Sequence, residues 1–565
     1  MNVSKTRLRY HAPVLLATAA LVFSNGLRAH AQDVQHLSLA QPGGMPGLPV
    51  ITGITQTANV VTVTWDGPSG YYQLFEKKAT TDPTWQPIGK ATNLIRTATV
   101  TMAPSNALFK ISGPSPHYAG SQACLECHRP VLNTVTQTRH FGAFTNSLFV
   151  AQGGQTDASC LPCHTVGYGL PSGFVSKSTT PQLANVQCEN CHGPAAVHAA
   201  NPEDPVVRPR VELAAEVCGG CHNNEFVPGR VAALHPPRYE EWNSSPHQSV
   251  LDELKADFTG SLGNSFFIPT CGSCHSGTIR EALLENTSLP TGHEAGAIGI
   301  ACGTCHDSHA QFVHTNLLNG LRTNGLTGLV ITNNQLGKFY TNQMSSPLSS
   351  LVDYHATGNF ATNYNPEINV CAQCHNDRGA SANSLDFPPH HSSQYNMLLG
   401  SFRQQDTDVP SNQPATHALL EKQCVACHMQ TPAGTGGHSF KVQSYGLCQT
   451  CHSSPELLVQ FTTNTVFLQI QRDKAALDFW AMIKAPAPLQ KYGAKAWEYA
   501  HPGSLSEAGP SPTTAEQGLI PVKIQKARFN LYLVFNEGSF GVHNGPYTVD
   551  LLETAYDLVQ DELAE

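Results

Sequence analysis

Cys188-Glu189-Asn190-Cys191-His192-Gly193-Pro194, with His198 six residues past His192, decides how this chain is read. Two thiols at i and i+3 lie on one face of a single helical turn. From there both can add across the two vinyl groups of one porphyrin. The His that follows lies beneath the ring and ligates the iron. Cys-x-x-Cys-His is the attachment signature of haem c, and it occurs nine times. In chain order motifs 1 to 4 are Cys124-Cys127-His128, Cys160-Cys163-His164, Cys188-Cys191-His192 and Cys218-Cys221-His222. Motifs 5 to 7 are Cys271-Cys274-His275, Cys302-Cys305-His306 and Cys371-Cys374-His375. Motifs 8 and 9 are Cys424-Cys427-His428 and Cys448-Cys451-His452. Nine motifs consume all 18 cysteines of the chain. Paired Cys-x-x-Cys units could instead build tetrahedral zinc sites, and an even cysteine count could mean disulfides. Neither requires a His directly after every pair, and only 27 of 565 residues are His. The expected cofactor is therefore haem c, nine copies, covalently attached.

Bulk composition agrees with a chain folded around cofactors. Charged residues make up only 13% of the chain, about half the usual share. From Gly113 onward there are about 50 residues per motif, too few for nine separate apolar cores. The porphyrins must then supply much of the buried surface, and cofactor binding becomes folding energy. The formal charge is −9 before any haem propionates are added, which excludes a phosphate backbone as a natural partner, so no nucleic acid is expected.

Residues 1–31 read as a secretory signal: Lys5, Arg7 and Arg9, an apolar run from Ala12 to Phe23, and the small-residue site Ala29-His30-Ala31. The run is shorter than the roughly 20 residues a membrane span needs. A soluble, exported protein, periplasmic or extracellular, is expected. Residues 32–48 form a linker. Residues 49–113 carry no cysteine and alternate in strand fashion, with Val61, Val63 and Trp65 on one face and Thr62 and Thr64 on the other. Residues 114–454 hold the nine motifs in short helices and irregular connections. The gaps range from 19 residues (His428 to Cys448) to 64 (His306 to Cys371), so there is no strict repeat. Residues 455–565 are expected to be helical. Pro455 to Ile483 is one segment, and Ile524, Ala527, Leu531, Val534 and then Val549, Leu552, Tyr556, Val559, Leu563 recur at helical spacing. The fold class is thus a mostly α and irregular multihaem core, preceded by a small all-β sandwich and followed by a helical C-terminal region.

Each iron has a second axial position. The expected ligands are His140, His198, His247, His309, His438, His543 and one of the adjacent pair His390 and His391. His198 and His309 follow their own motifs too closely to loop over the same ring, so each is expected to serve a neighbour. His117, His293 and His355 have weaker local support, and His235, His314, His417 and His501 remain unassigned.

The contexts Cys-Glu-x-Cys-His-Gly-Pro with a following His, Trp242 with Ser-Pro-His247, Cys-x-x-Cys-His-Asp-x-His309 and Gly-Val-His543-Asn resemble the multihaem cytochrome c superfamily. That superfamily includes tetrahaem nitrification cytochromes, octahaem hydroxylamine oxidoreductases, octahaem tetrathionate reductases and pentahaem nitrite reductases. The resemblance spans about Ser115 to Glu565 and implies closely packed haems with mostly two His ligands each. Residues 49–113 resemble a fibronectin type III-like module. The chain departs from the nitrite reductases in lacking Cys-x-x-Cys-Lys, and no local pattern selects Tyr445, Tyr492 or Tyr499 as the covalent Tyr of a hydroxylamine oxidoreductase. The expected function is electron transport along mostly bis-His haems. The alternative is an oxidoreductase acting on nitrite, hydroxylamine or tetrathionate at one five-coordinate haem. Expected partners are redox protein donors and acceptors, other cytochromes or an outer-membrane or surface component reached through the β-sandwich, and a second copy of the chain.

Overall fold

The computed structural model describes residues 50–309 and 370–565. Within these it leaves out 58–59, 68–71, 78–85, 93–96, 102–107, 113–115, 212–213 and 224–235, and positions 125, 285, 286, 293, 373, 412, 421, 422, 432, 433 and 507. The signal and linker, His235, His293, His314 and His355 lie outside the described residues. The chain divides into two compact units, one of residues 1–237 with 309–313 and the other of 238–308 with 314–565.

In the first unit, six strands form two antiparallel three-stranded sheets. β1 (Val50–Thr57), β2 (Val60–Asp66) and β5 (Thr97–Thr101) pair in the order β1-β2-β5. β3 (Tyr72–Lys77), β4 (Gln86–Thr92) and β6 (Leu108–Ser112) pair in the order β4-β3-β6. The alternating side chains Val61, Val63 and Trp65 on β2 join Tyr72 and Leu74 on β3 in one buried cluster. Beyond the strands the unit is made of turns and helices of four to seven residues. Among them is α1 (Cys188–His192), which is motif 3 itself. A second small cluster, Phe144, Leu161, Val166, Phe174 and Leu183, supports motif 2.

The second unit begins with similarly short helices, including α2 (Ile268–His275), which ends on motif 5. It finishes with three long ones: α3 (Pro455–Ile483), α4 (Val522–Glu537) and α5 (Gly545–Ala564). Pro455 occupies the first turn of α3, where its missing N–H is not needed. Val466, Ile470, Leu477, Trp480 and Ala481 turn one face of α3 into the core. Val466, Ile470 and Leu477 each contribute roughly 1.5–3 kcal/mol when fully buried. The opposite face leaves Leu457, Phe461, Leu468, Met482 and Ile483 exposed.

The stripe Ile524-Ala527-Leu531-Val534 predicts a one-sided α4, but the helix is buried on nearly every face. Polar Arg528 and Asn530 are fully buried with it. Their polar atoms are matched in part, and among the described residues Arg528 Nε and Nη2 and Asn530 Oδ1 have no hydrogen-bond partner. Arg528 Nη1 donates to Trp497 O (2.8 Å), Glu498 O (3.0 Å) and Gln517 Oε1 (2.8 Å), and its guanidinium lies 3.9 Å over the Tyr499 ring. Asn530 Nδ2 donates to Thr407 O (2.9 Å). Tyr492 donates to Glu516 (2.6 Å), so both it and Tyr499 belong to this helical core. Gly538 ends α4 at φ 81°, a left-handed value that a side chain would strain. The turn that follows carries His543 and then Asn544, whose Oδ1 caps α5 by accepting from Tyr547 N (3.3 Å). Asn544 Nδ2 donates to Met397 O (3.1 Å) and Gln413 O (2.8 Å), which fixes the turn against the motif 7 region. No helix among the described residues is long and apolar enough to cross a membrane.

Candidate functional site

Motif 3 shows how the sequence shapes an attachment turn. Gln187 N donates to Asn190 Oδ1 (2.7 Å), which closes the first turn of α1. Gly193 follows at φ 81°, a conformation that releases the chain sharply after His192. Glu189 is buried and accepts from Ala119 N (3.1 Å), Gly120 N (2.7 Å) and Ala195 N (2.8 Å). Burial pushes its carboxyl above the usual range, while these three N–H groups oppose the rise. The Cys-Glu-Asn-Cys-His-Gly pattern is therefore a clamp that ties motif 3 to the segment leading into motif 1.

Seven of the nine motif imidazoles are described facing a second His ring. In the first unit His140 faces His222 with ring centroids 6.1 Å apart, and His192 faces His309 at 5.8 Å. His198 is electrostatically coupled to His128. In the second unit the pairs are His247 with His375 (6.1 Å), His275 with His390 (6.0 Å) and His306 with His438 (6.0 Å). His417 with His452 (6.2 Å) and His428 with His543 (6.0 Å) complete the set. This spacing matches a metal ion. Two in-line metal–imidazole bonds of about 2.0 Å, with a ring radius of about 1.1 Å at either end, put the centroids about 6.2 Å apart. A face-to-face stack brings two rings closer, as in the 4.2 Å stack of His390 on His391. The residues thus fit an iron held between two imidazoles. Among the described residues no three His, Cys, Asp or Glu groups converge as a tetrahedral metal site requires.

Nitrogen orientation agrees with this. His164 Nδ1 lies 3.0 Å from Ala143 O, His192 Nδ1 2.7 Å from Arg210 O and His275 Nδ1 3.3 Å from Val250 O. His428 Nδ1 lies 3.3 Å from Phe440 O, and His417 Nδ1 2.9 Å from Val542 O. A carbonyl only accepts, so Nδ1 carries the proton and the Nε2 lone pair is left for a metal. Burial favours the neutral ring as well. It pulls His247 down to about 4, with the neighbouring His375 adding to the effect. Burial, then Arg378, His391 and His275, pull His390 down to about 2. His140, His198 and His428 move in the same direction, each led by burial.

Several of the paired residues are positioned by neighbouring side chains. Trp242, buried before Ser245-Pro246-His247, donates from Nε1 to Ile300 O (2.8 Å). Glu241 accepts from the main-chain N of His438 (2.8 Å) and pairs with Arg238 (3.2 Å), which places His438 opposite His306. Of the adjacent pair, His390 stands opposite His275, and His391 stacks on His390. His417 faces His452, although its sequence context carries no cue. It sits in a short 3-10 turn, Thr416–Leu419, without a flanking Gly or Pro-His pattern. His164 stacks face to face on Phe149 at 4.0 Å. His501 stacks on Phe387 at 4.3 Å.

The thiols form a second pattern. Cys124 of motif 1 is hydrogen-bonded to Cys188 of motif 3, and Cys163 of motif 2 to Cys221 of motif 4. In the second unit Cys274 of motif 5 bonds Cys374 of motif 7, and Cys371 of motif 7 bonds Cys424 of motif 8. Cys427 and Cys448, of motifs 8 and 9, are close enough to interact electrostatically, as are Cys305 and Cys374 of motifs 6 and 7. Arg280, buried between motifs 5 and 7, donates to Ser273 O (3.1 Å) and to the Cys374 sulfur (3.8 Å). As free thiols these contacts are polarised: the hydrogen bond from Cys124 draws Cys188 down to about 6.

Attachment turns followed by facing imidazoles define a protein that carries several c-type haems. Comparison with known proteins agrees. The family described as cytochrome c554 and c-prime matches residues 123–193, 217–307 and 370–453, and these three segments contain three motifs each. The chain is 24% identical over 177 residues to the multihaem cytochrome MtrA of Shewanella baltica, covering 28% of this chain and 48% of that protein. It is 29% identical over 90 residues to cytochrome c-554 of Nitrosomonas europaea, covering 14% of this chain and 38% of that protein. It therefore spans less than half the length of either relative. A solved structure, the outer cell wall cytochrome OcwA, aligns over 78% of this chain and all of its own, with 17% identity and a TM-score of 0.47. This chain is a distant relative of the multihaem c-type cytochromes.

Proposed function

We propose that this protein is an exported nine-haem cytochrome that carries electrons along mostly bis-His haems. The observation that carries the reading is the repeated pairing of a motif His with a second His at 5.8–6.2 Å. In each case the two cysteines of the motif would hold the porphyrin, and the paired imidazoles would hold the iron. Haem supplies a one-electron ferric/ferrous couple. Two imidazoles saturate its iron, so an exchange of electrons is favoured over substrate binding. His–His ligation without a thioether keeps potentials below those of Met–His ligation.

The protein's own contribution is to order the cofactors. Adjacent sulfurs bring porphyrin edges together, and tunnelling falls off steeply with edge separation. The thiols group motif 1 with 3 and motif 2 with 4 in the first unit, and Cys191 of motif 3 also interacts with Cys221 of motif 4. In the second unit they join motif 7 to motifs 5 and 8, with Cys305 of motif 6 acting on Cys374 and Cys448 of motif 9 on Cys427 through their charges. The two sheets sharing the Trp65 cluster support a fibronectin type III-like docking module. The exposed apolar face of α3 suits a redox partner or a second copy of the chain. The leader-like residues 1–31 and the chemistry of haem c attachment support a periplasmic or extracellular location.

Mass spectrometry and ferric electron paramagnetic resonance of the purified protein test this. The expected result is nine added haems and low-spin signals insensitive to nitrite, hydroxylamine and cyanide. A high-spin signal that shifts on adding these ligands would replace the carrier with an oxidoreductase. A protein without added haem mass would end both readings.

A further inference from the structure

Eight imidazoles on the haem motifs or opposite them have a described partner for Nδ1. Five of these partners are main-chain carbonyls: those of His164, His192, His275, His417 and His428. Two are neutral side chains, Gln394 Oε1 for His375 (3.1 Å) and Ser392 Oγ for His390 (3.1 Å). The eighth is a carboxylate: His543 Nδ1 donates to Glu537 Oε1. The Glu537 side chain is 1% exposed, so its charge acts with little water to screen it. Its other oxygen accepts from Ser539 N (3.0 Å) and Ser539 Oγ (2.7 Å), which holds the carboxylate in place.

A buried anion on Nδ1–H shifts electron density into the ring and makes Nε2 a stronger donor. Stronger donation stabilises ferric over ferrous iron. The same helix end reaches the neighbouring motif: Gln394 Nε2 donates to Glu537 O (3.0 Å), while its Oε1 faces His375. Motifs 7 and 8 are also joined by Cys371 and Cys424.

We propose that Glu537 is a positioning and tuning residue that lowers the potential of the motif 8 haem. This rests on the bis-His reading of His428 and His543.

The test is a potentiometric titration of the full holo-protein by visible spectroscopy, with electron paramagnetic resonance of the ferric form. In Glu537→Gln one ninth of the titrating haem should move to more positive potential by at least a tenfold change in its oxidised-to-reduced ratio, or about 59 mV. Glu537→Asp should stay near the wild type. Ser539→Ala removes a competing hydrogen bond from the carboxylate and should move the same ninth the other way. Should Glu537→Gln retain nine haems and low-spin signals yet titrate like the wild type, the tuning role is overturned. Absence of low-spin signals in the wild type itself would instead reject the bis-His reading. If Glu537→Gln loses haem, the opposite shift of Ser539→Ala decides: its absence overturns the proposal.

Discussion

His417 gives the sharpest test, because structure placed it where sequence offered no cue. Its ring centroid lies 6.2 Å from that of the motif 9 imidazole His452, the separation of an iron held between two rings. Its Nδ1 is held 2.9 Å from Val542 O, which leaves Nε2 for the metal. Replacing His417 with Ala removes one hydrogen bond, a loss of about 0.5–1.5 kcal/mol, so the fold should survive. The motif 9 iron would be left five-coordinate. His417 and Cys451 are both exposed, so small ligands can reach that face. About one ninth of the ferric haem should become high-spin, and that fraction alone should bind added cyanide or imidazole. His417→Met should stay six-coordinate with a raised potential, because a thioether favours ferrous iron. If His417→Ala keeps all its haem and its spectrum stays wholly low-spin, then the centroid spacing does not report ligation here, and the inference weakens for the other pairs.

Other perturbations address the scaffold. Burial raises Asp473 to about 7 despite its hydrogen bond from Arg472 Nε (2.8 Å). An unfolded Asp releases its proton near 3.9, so between about pH 4 and pH 7 the folded chain binds more protons and stability falls as pH rises. Asp473→Asn should abolish that slope, worth on the order of 2–4 kcal/mol at neutral pH, as read by denaturant titrations at pH 5 and 7.5; equal slopes in both proteins would refute it. Arg528→Met should cost about 3–5 kcal/mol, because Trp497 O, Glu498 O and Gln517 lose their common donor; an unchanged denaturation midpoint would count against this. Gly193→Ala should cost about 1–2 kcal/mol at a φ of 81°, and haem loading at motif 3, measured by peptide mass, should fall with it.

Some features were legible from the sequence because they are local. The i, i+3 thiols and the following His occupy one helical turn, so nine Cys-x-x-Cys-His motifs can be read without knowing where the chain goes next. The segment Pro455 to Ile483 was equally readable, since its apolar period and its N-terminal Pro act over neighbouring turns. The stripe on α4 was a weaker guide. Periodicity identifies an apolar face but cannot show that Arg528 and Asn530 find buried partners from Trp497, Gln517 and Thr407.

Only the tertiary structure decided which imidazoles meet. A second axial ligand comes from a distant segment, and its partner depends on how the chain crosses itself. His390 and His391 are adjacent in sequence, and the course of the backbone through 389–393 alone sets the first against His275. His417 carries no motif, yet the turn Thr416–Leu419 brings it to His452. The carboxylate behind His543 likewise depends on the sharp reversal at Gly538, which folds the end of α4 back onto the turn that carries His543. Covalent attachment is written in a handful of consecutive residues; coordination and its tuning are properties of contacts between segments.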